Sequence, residues 1–239
     1  NLCNMLWGAA FPFIKLGYAA FANCTALTNL VIPDSVVSAG QSVIRGCTAL
    51  KTLEIHGGMT RIRDSIFNIG EVNSLQKLTV GFGVTEIDSY ALDNDGYGFP
   101  YLTEIVLPAS LAYIGPFAFN GAGVETLTVG FANGADTTRA FRGLAKLKTL
   151  NLTSGAIGDY CFEGVESLET VNIGEAVTYL GQGAFQYCTG LTNVNVDNAA
   201  LDIGNYAFNG CTALTNINLG ENALSIGTRA FQDCASLTS

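Results

Sequence analysis

The sequence predicts a solenoid of about ten coils of ~23 residues, with a parallel β-sheet on one face and short helical turns and extended segments on the other. Three observations carry this expectation. The stretch Ile203 to Leu219, I-G-N-Y-A-F-N-G-C-T-A-L-T-N-I-N-L, returns nearly intact at Leu16 to Ile32, Leu180 to Val196 and Ile226 to Leu237. With the aromatic of its Ala-Phe pair as anchor, the equivalent positions are Phe21, Ile44, Phe67, Leu92, Phe119, Phe141, Phe162, Phe185, Phe208 and Phe231. Their spacings are 23, 23, 25, 27, 22, 21, 23, 23 and 23 residues, the last coil being cut short. Finally, the chain is 49% apolar and only 13% charged, the opposite of a disordered composition. Residues 1–239 read as one domain, because each unit of an array contacts only its neighbours. Asn1 to Lys15 reads as a degenerate first coil whose Trp7 and Phe13 fill core slots.

Within a coil, two periods set the local structure. Leu214, Ile217 and Leu219 match the L-x-x-L-x-L core of leucine-rich repeats, whose last part is a short strand with alternating side chains. A loop with Pro or Gly follows, as at Pro33, Pro108, Gly174 and Gly220, then an extended apolar segment ending in Ile-Gly. The Ala-Phe pair and a Cys three residues later then share one face of a single helical turn. Glycine after the extended segment, at Gly17, Gly40, Gly115, Gly158, Gly181, Gly204 and Gly227, implies a tight corner or close approach of backbones. Arg63 and Asp88 take that slot in the third and fourth coils, which predicts altered corners there. Such a stack exposes apolar edges at both ends, so more chain, a cap or a partner is expected to cover them. The chain itself reads as part of something longer.

The repeated I-G-x-x-A-F-x-x-C-x-x-L-x-x-L-x-L, with I-P-D-S-V at Ile32 to Val36, resembles the BspA-like leucine-rich repeats, the Treponema pallidum type. The likeness covers nearly the whole chain. It departs in coils three to six, where Gly70, Asp95, Ala122 and Leu144 stand in the Cys slot. The resemblance implies a leucine-rich-repeat solenoid from a secreted or surface-attached bacterial or protist protein, extracellular or at the cell surface. It implies adhesion to proteins or other cells, without enzymatic activity, and carries no fixed set of binding residues.

Charge narrows the partners. The net charge is -9: residues 1–148 hold ten Lys/Arg against eleven Asp/Glu, and residues 149–239 hold Arg229 against nine acids. An acidic far half repels nucleic acid and anionic membrane. The basic group Arg139, Arg142, Lys146 and Lys148 reads as a solvated face, with an anionic docking spot as the sharper alternative. Ile105 to Val124 has no charge over twenty residues, but its prolines, glycines and repeat register argue against a membrane span.

Chemistry is sparse. The cysteines at 24, 47, 188, 211 and 234 share one slot and read as a column of buried free thiols, with Cys3 and Cys161 of the same kind. Neighbouring coils could also bring some of them within disulfide range. The single histidine, His56, has no acid or nucleophile set beside it by spacing, and no cofactor or metal is implied. Asn23 and Asn151 lie in N-x-[ST] sequons.

Two surfaces remain as candidates for a protein or glycan ligand. The outward strand column Val31, Glu54, Thr79, Val106, Thr128, Asn151, Asn172, Asn195 and Asn218 runs beside a second one ending in Thr170, Asn193 and Asn216. Stacked asparagines either hydrogen-bond to one another and stabilise the sheet, or form a polar groove. The other candidate is the four-residue insertion around Asp93, Asp95, Tyr97, Phe99 and Tyr101, since loops that leave a regular scaffold favour function. Its Asp-x-Asp-Gly resembles part of a calcium loop but lacks the distal Glu, so a plain surface loop is expected. The alternative to a ligand-binding module is a structural spacer or subunit of an extracellular assembly, contacting partners through its ends.

Overall fold

The computed structural model describes residues 14–64, 66–67, 74–93, 96–197, 200–219 and 223–238. Residues 1–13 of the expected first coil, with Cys3, Trp7 and Phe13, lie outside them, as do Gly70, Asp95 and Gly220.

Sixteen strands form among the described residues. The first eight are β1 (Ile14–Leu16), β2 (Asn29–Ile32), β3 (Val36–Ala39), β4 (Thr52–Ile55), β5 (Arg61–Ile62), β6 (Lys77–Val80), β7 (Glu86–Ile87) and β8 (Glu104–Val106). The others are β9 (Tyr113–Ile114), β10 (Thr126–Val129), β11 (Thr149–Ile157), β12 (Thr170–Leu180), β13 (Asn193–Val196), β14 (Asp202–Ile203), β15 (Asn216–Asn218) and β16 (Ser225–Ile226). All pairings between strands are parallel, and each joins one coil to the next.

The main face carries β2-β4-β6-β8 and then β10-β11-β12-β13-β15. That is nine coils with a main-face strand rather than ten, because the Phe231 coil contributes none among the described residues. Pairing is interrupted between β8 and β10, where the Phe119 coil reaches its strand leucine, Leu127, one residue sooner than Phe21 reaches Leu30. The second face carries β1-β3, β5-β7-β9 and, off the far end of β12, β14 and β16. The uncharged segment from Ile105 to Val124 folds into β8, β9 and the turns around them, and among the described residues no helix is long and apolar enough to cross a membrane.

The expected helical turn is absent: no helix forms among the described residues. The Ala-Phe segment is instead a run of β-turns, with N–H groups bonding three residues back, as Cys24 to Phe21 at 3.2 Å and Leu27 to Cys24 at 3.0 Å. Residues two before and two after the anchor have positive φ, for example Tyr160 (55°) and Gly164 (70°), or Tyr206 (58°) and Gly210 (74°). That is the third position of a type II turn, and it breaks a right-handed helix. The gain lies between coils. A helix would keep its N–H groups to itself, whereas here Tyr160, Phe162 and Gly164 donate to Gln182, Ala184 and Gln186 of the next coil at 2.8 to 2.9 Å.

The core is a continuous apolar filling inside these two ladders. From Phe119 through Phe141, Phe162, Phe185 and Phe208 to Phe231 the anchor rings stack with centroids 5.0 to 5.6 Å apart and planes within 12°. Four of the five slot cysteines then add a bond the sequence did not suggest. The thiols of Cys47, Cys188, Cys211 and Cys234 donate to the carbonyls of Phe21, Phe162, Phe185 and Phe208 at 3.1 to 3.2 Å. All four are buried and free, as is Cys161, but Cys24 in the first described coil is exposed, against expectation. In the fourth coil the slot is filled by buried Phe99, not Asp95, since the four inserted residues fall between Leu92 and the slot.

The glycine column marks close backbone approach, with ordinary φ. A Cβ on Gly181 would sit 2.6 to 2.7 Å from Gly158 and Asp159 backbone atoms, and Gly204 and Gly227 are as crowded. Gly17 has nothing within 4 Å among the described residues. Gly181→Ala is therefore expected to cost about 1–3 kcal/mol, and Gly17→Ala to stay within about 0.5 kcal/mol, both read from urea midpoints. Asp88 does not alter its corner: its N–H bonds to Ile62 at 2.8 Å, as Gly115 does to Ile87.

Candidate ligand-binding face

Alternation in the main-face strands sends every second residue outward, as the exposed-buried pattern of β10 shows. The register aligns Thr128, Asn151, Asn172, Asn195 and Asn218 on successive strands, and Thr170, Asn193 and Asn216 beside them. The amide of Asn151 donates to Thr128 Oγ1 at 3.0 Å, Asn172 to Asn151 Oδ1 at 2.7 Å, and Asn195 to Asn172 Oδ1 at 2.7 Å. This is the sheet-stabilising ladder of the first reading. It leaves each rung a second amide hydrogen and a second carbonyl lone pair for a ligand. In the flanking column Asn193 turns back to Thr192 Oγ1 at 2.9 Å.

Beside the ladder lies a depression of ≈ 450 Å³, lined by Asn151, Thr153, Asn172, Gly174, Glu175 and Asp197. Glu175 and Asp197 are exposed and were missed by pattern reading. Their signal was an acid one or two residues past the last apolar residue of the repeat's L-x-x-L-x-L core, Ile173 or Val196. Together they give the amide column an acidic border.

The inserted loop is partly spent on structure. Asp93 Oδ2 accepts from the Gly96 N–H at 2.7 Å and Asp93 Oδ1 from the Asn120 amide at 2.5 Å. Phe99 is fully buried and cannot touch a ligand, since the insertion shifts it into the core slot. Tyr97 and Tyr101 are exposed, and Asp95 lies outside the described residues. Asp88, the nearby acid, is bonded to Arg61 at 2.8 Å. Among the described residues no group of three or more His, Cys, Asp or Glu side chains is placed to hold a metal ion. The loop belongs to the turn segment of the fourth coil, apart from the asparagine column of coils six to nine.

The remaining chemical candidates resolve into packing. His56 does have acids beside it, Glu54 at 3.1 Å and Asp34 at 3.9 Å, brought there by the strand and the loop of the coil before. No hydroxyl or thiol is hydrogen-bonded to it among the described residues. The basic group disperses: Arg139 stacks on Tyr160, Arg142 pairs with Glu163 at 3.3 Å over Phe117, Lys146 bonds to Pro100 O, and Lys148 pairs with Glu125. Burial pushes the Cys161 and Cys188 thiols up to about 12, far from a reactive thiolate.

Comparison with known proteins agrees with this architecture. The chain is similar to a T. pallidum leucine rich repeat protein of known structure, at 23% identity over 69% of this chain and 78% of that one, with a TM-score of 0.53. It is also similar to leucine-rich repeat proteins from Eubacterium ventriosum (21% identity, 98% and 64% covered, TM-score 0.50) and Bacteroides ovatus (18%, 94% and 81%, 0.44). No functionally curated protein matches the sequence. The profile of the BspA type leucine rich repeat region matches residues 10–122, 94–200 and 137–239, in six copies. With its anchor column, thiol slot and parallel strands in the same register, the chain belongs to the BspA-type leucine-rich-repeat family.

Proposed function

We propose that this chain is a non-enzymatic interaction module, acting outside the cell or at its surface in adhesion, that docks a protein segment or a glycan on its main strand face. The single observation that carries this reading is the asparagine ladder beside its acid-bordered depression. A repeating donor and acceptor per coil suits a ligand that is itself extended and repetitive, an exposed backbone or a chain of hydroxyls. The acids of residues 149–239 favour a neutral or basic partner over an anionic one. The family supports an interaction role in general.

The test is a triple change of Asn172, Asn195 and Asn218 to Lys. These side chains lie outside the core, so the far-UV spectrum should be kept, while the lost amide bonds and the stacked like charges lower the melting temperature without unfolding the stack at 25 °C. Attachment of the protein to cells or immobilised extracellular proteins is expected to fall at least tenfold. Unchanged attachment by a folded variant rejects the strand face as the docking surface.

A further inference from the structure

We infer a second binding site, for a neutral saccharide, on the second sheet's side, where Tyr90 borders a depression of ≈ 360 Å³ lined by Arg61, Asp64, Asp88, Ser89 and Tyr113. Sequence reading did not group these residues, because they come from three coils and share no motif. Register brings them together: Arg61 pairs with Glu86 and Glu86 with Tyr113 along β5, β7 and β9.

Tyr90 supplies the platform. Its ring is half exposed, at 51%, and is held by Phe117, which stacks on it at 5.4 Å with planes 9° apart. Phe117, from the next coil, covers one ring face. Tyr90 lines the depression together with Arg61 and Asp64 of the coil before. A ring fixed in place meets a sugar's C–H face with little ordering cost.

The polar groups around it suit hydroxyls. Asp64 and the hydroxyls of Ser89, Tyr90 and Tyr113 form no side-chain hydrogen bond among the described residues. Arg61 is oriented by Asp88 at 2.8 Å and Glu86 at 3.3 Å, which leaves it further N–H groups to donate. An apolar ring, an exposed carboxylate such as Asp64 and an oriented guanidinium are elements that recognise vicinal hydroxyls. Among the lining residues one cation, Arg61, stands against two carboxylates, Asp64 and Asp88, which gives the depression a net negative charge that selects against sialylated, sulfated or phosphorylated sugars.

The experiment places the whole chain on an array of neutral oligosaccharides of glucose, galactose, mannose and N-acetylglucosamine, beside sialylated and sulfated ones. Retention on at least one neutral class is expected, lost at least tenfold in Tyr90→Asn and kept in Tyr90→Phe. Asparagine tolerates the positive φ of this position, 57°, so the variant should fold. Asp64→Ala, at an exposed carboxylate, gives an independent loss if the turn loosens. The strand-face Lys variant should bind these sugars like the parent, which separates this site from the docking face. No neutral binding, binding to charged sugars only, unchanged binding by Tyr90→Asn and Asp64→Ala, or loss in the strand-face variant each overturns the assignment.

Discussion

Phe162→Ala is expected to destabilise the stack by about 3–5 kcal/mol, a large share of the about 5–15 kcal/mol that holds a folded domain together. Phe162 is fully buried between Phe141 at 5.0 Å and Phe185 at 5.6 Å, and its carbonyl also receives the Cys188 thiol. Removing it opens a cavity that neighbouring rings cannot close, since each is held by its own coil's turns. In an array each coil is coupled only to its neighbours, so a break in the middle should also weaken cooperation between the two halves. Urea unfolding followed by circular dichroism should show a lower midpoint and a shallower slope. The same change at Phe231, half-buried and stacked on one side only, should cost less than half as much. Equal costs at the two positions would mean that ring stacking does not transmit stability along the column.

Alkali is expected to unfold the protein through its thiols. Burial raises Cys161 and Cys188 from the ordinary 9.0 to about 12, and pushes Cys211 up as well. The folded state therefore keeps protons that the unfolded state releases. The associated stability is fully present below pH 9 and is lost as the pH climbs toward 12. At pH 11 the loss is on the order of a few kcal/mol for each of these two thiols. Urea midpoints at pH 8, 9.5 and 11 should fall steeply for the parent and less steeply for the Cys161→Ala, Cys188→Ala double variant. Parallel curves would assign alkaline unfolding to other groups. Consistent with this chemistry, a thiol reagent at pH 8 should label exposed Cys24 rapidly and Cys188 only after unfolding.

Much of this architecture was legible because a repeat array writes its own alignment. Once the anchor column was set, the outward column from Val31 to Asn218 followed by counting, and the strand pairings align the same residues. The glycine column was legible for the same reason, since at positions such as Gly115, Gly181 and Gly227 a Cβ would run into the backbone of the neighbouring corner. Counting failed where lengths change. Phe99 looked like a loop residue because four insertions hid its place in the core slot. The helical turn was misjudged because Ala, Phe and Cys at positions one and three apart suit a helix face and a β-turn ribbon equally.

What the sequence alone determined was the repeat, its parallel sheets and which side chains point in or out, because these depend on periodicity within a coil. Tertiary structure decided whatever depends on atoms from different coils. The turn ribbon replaces a helix because its free N–H groups reach the next coil. The cysteines become donors because an anchor carbonyl lies one coil away. The asparagines become a ladder, and Tyr90 gains Arg61 and Tyr113 as neighbours, only when register stacks residues more than twenty positions apart. Such contacts are set by the rise from coil to coil, a distance that no single coil's sequence contains.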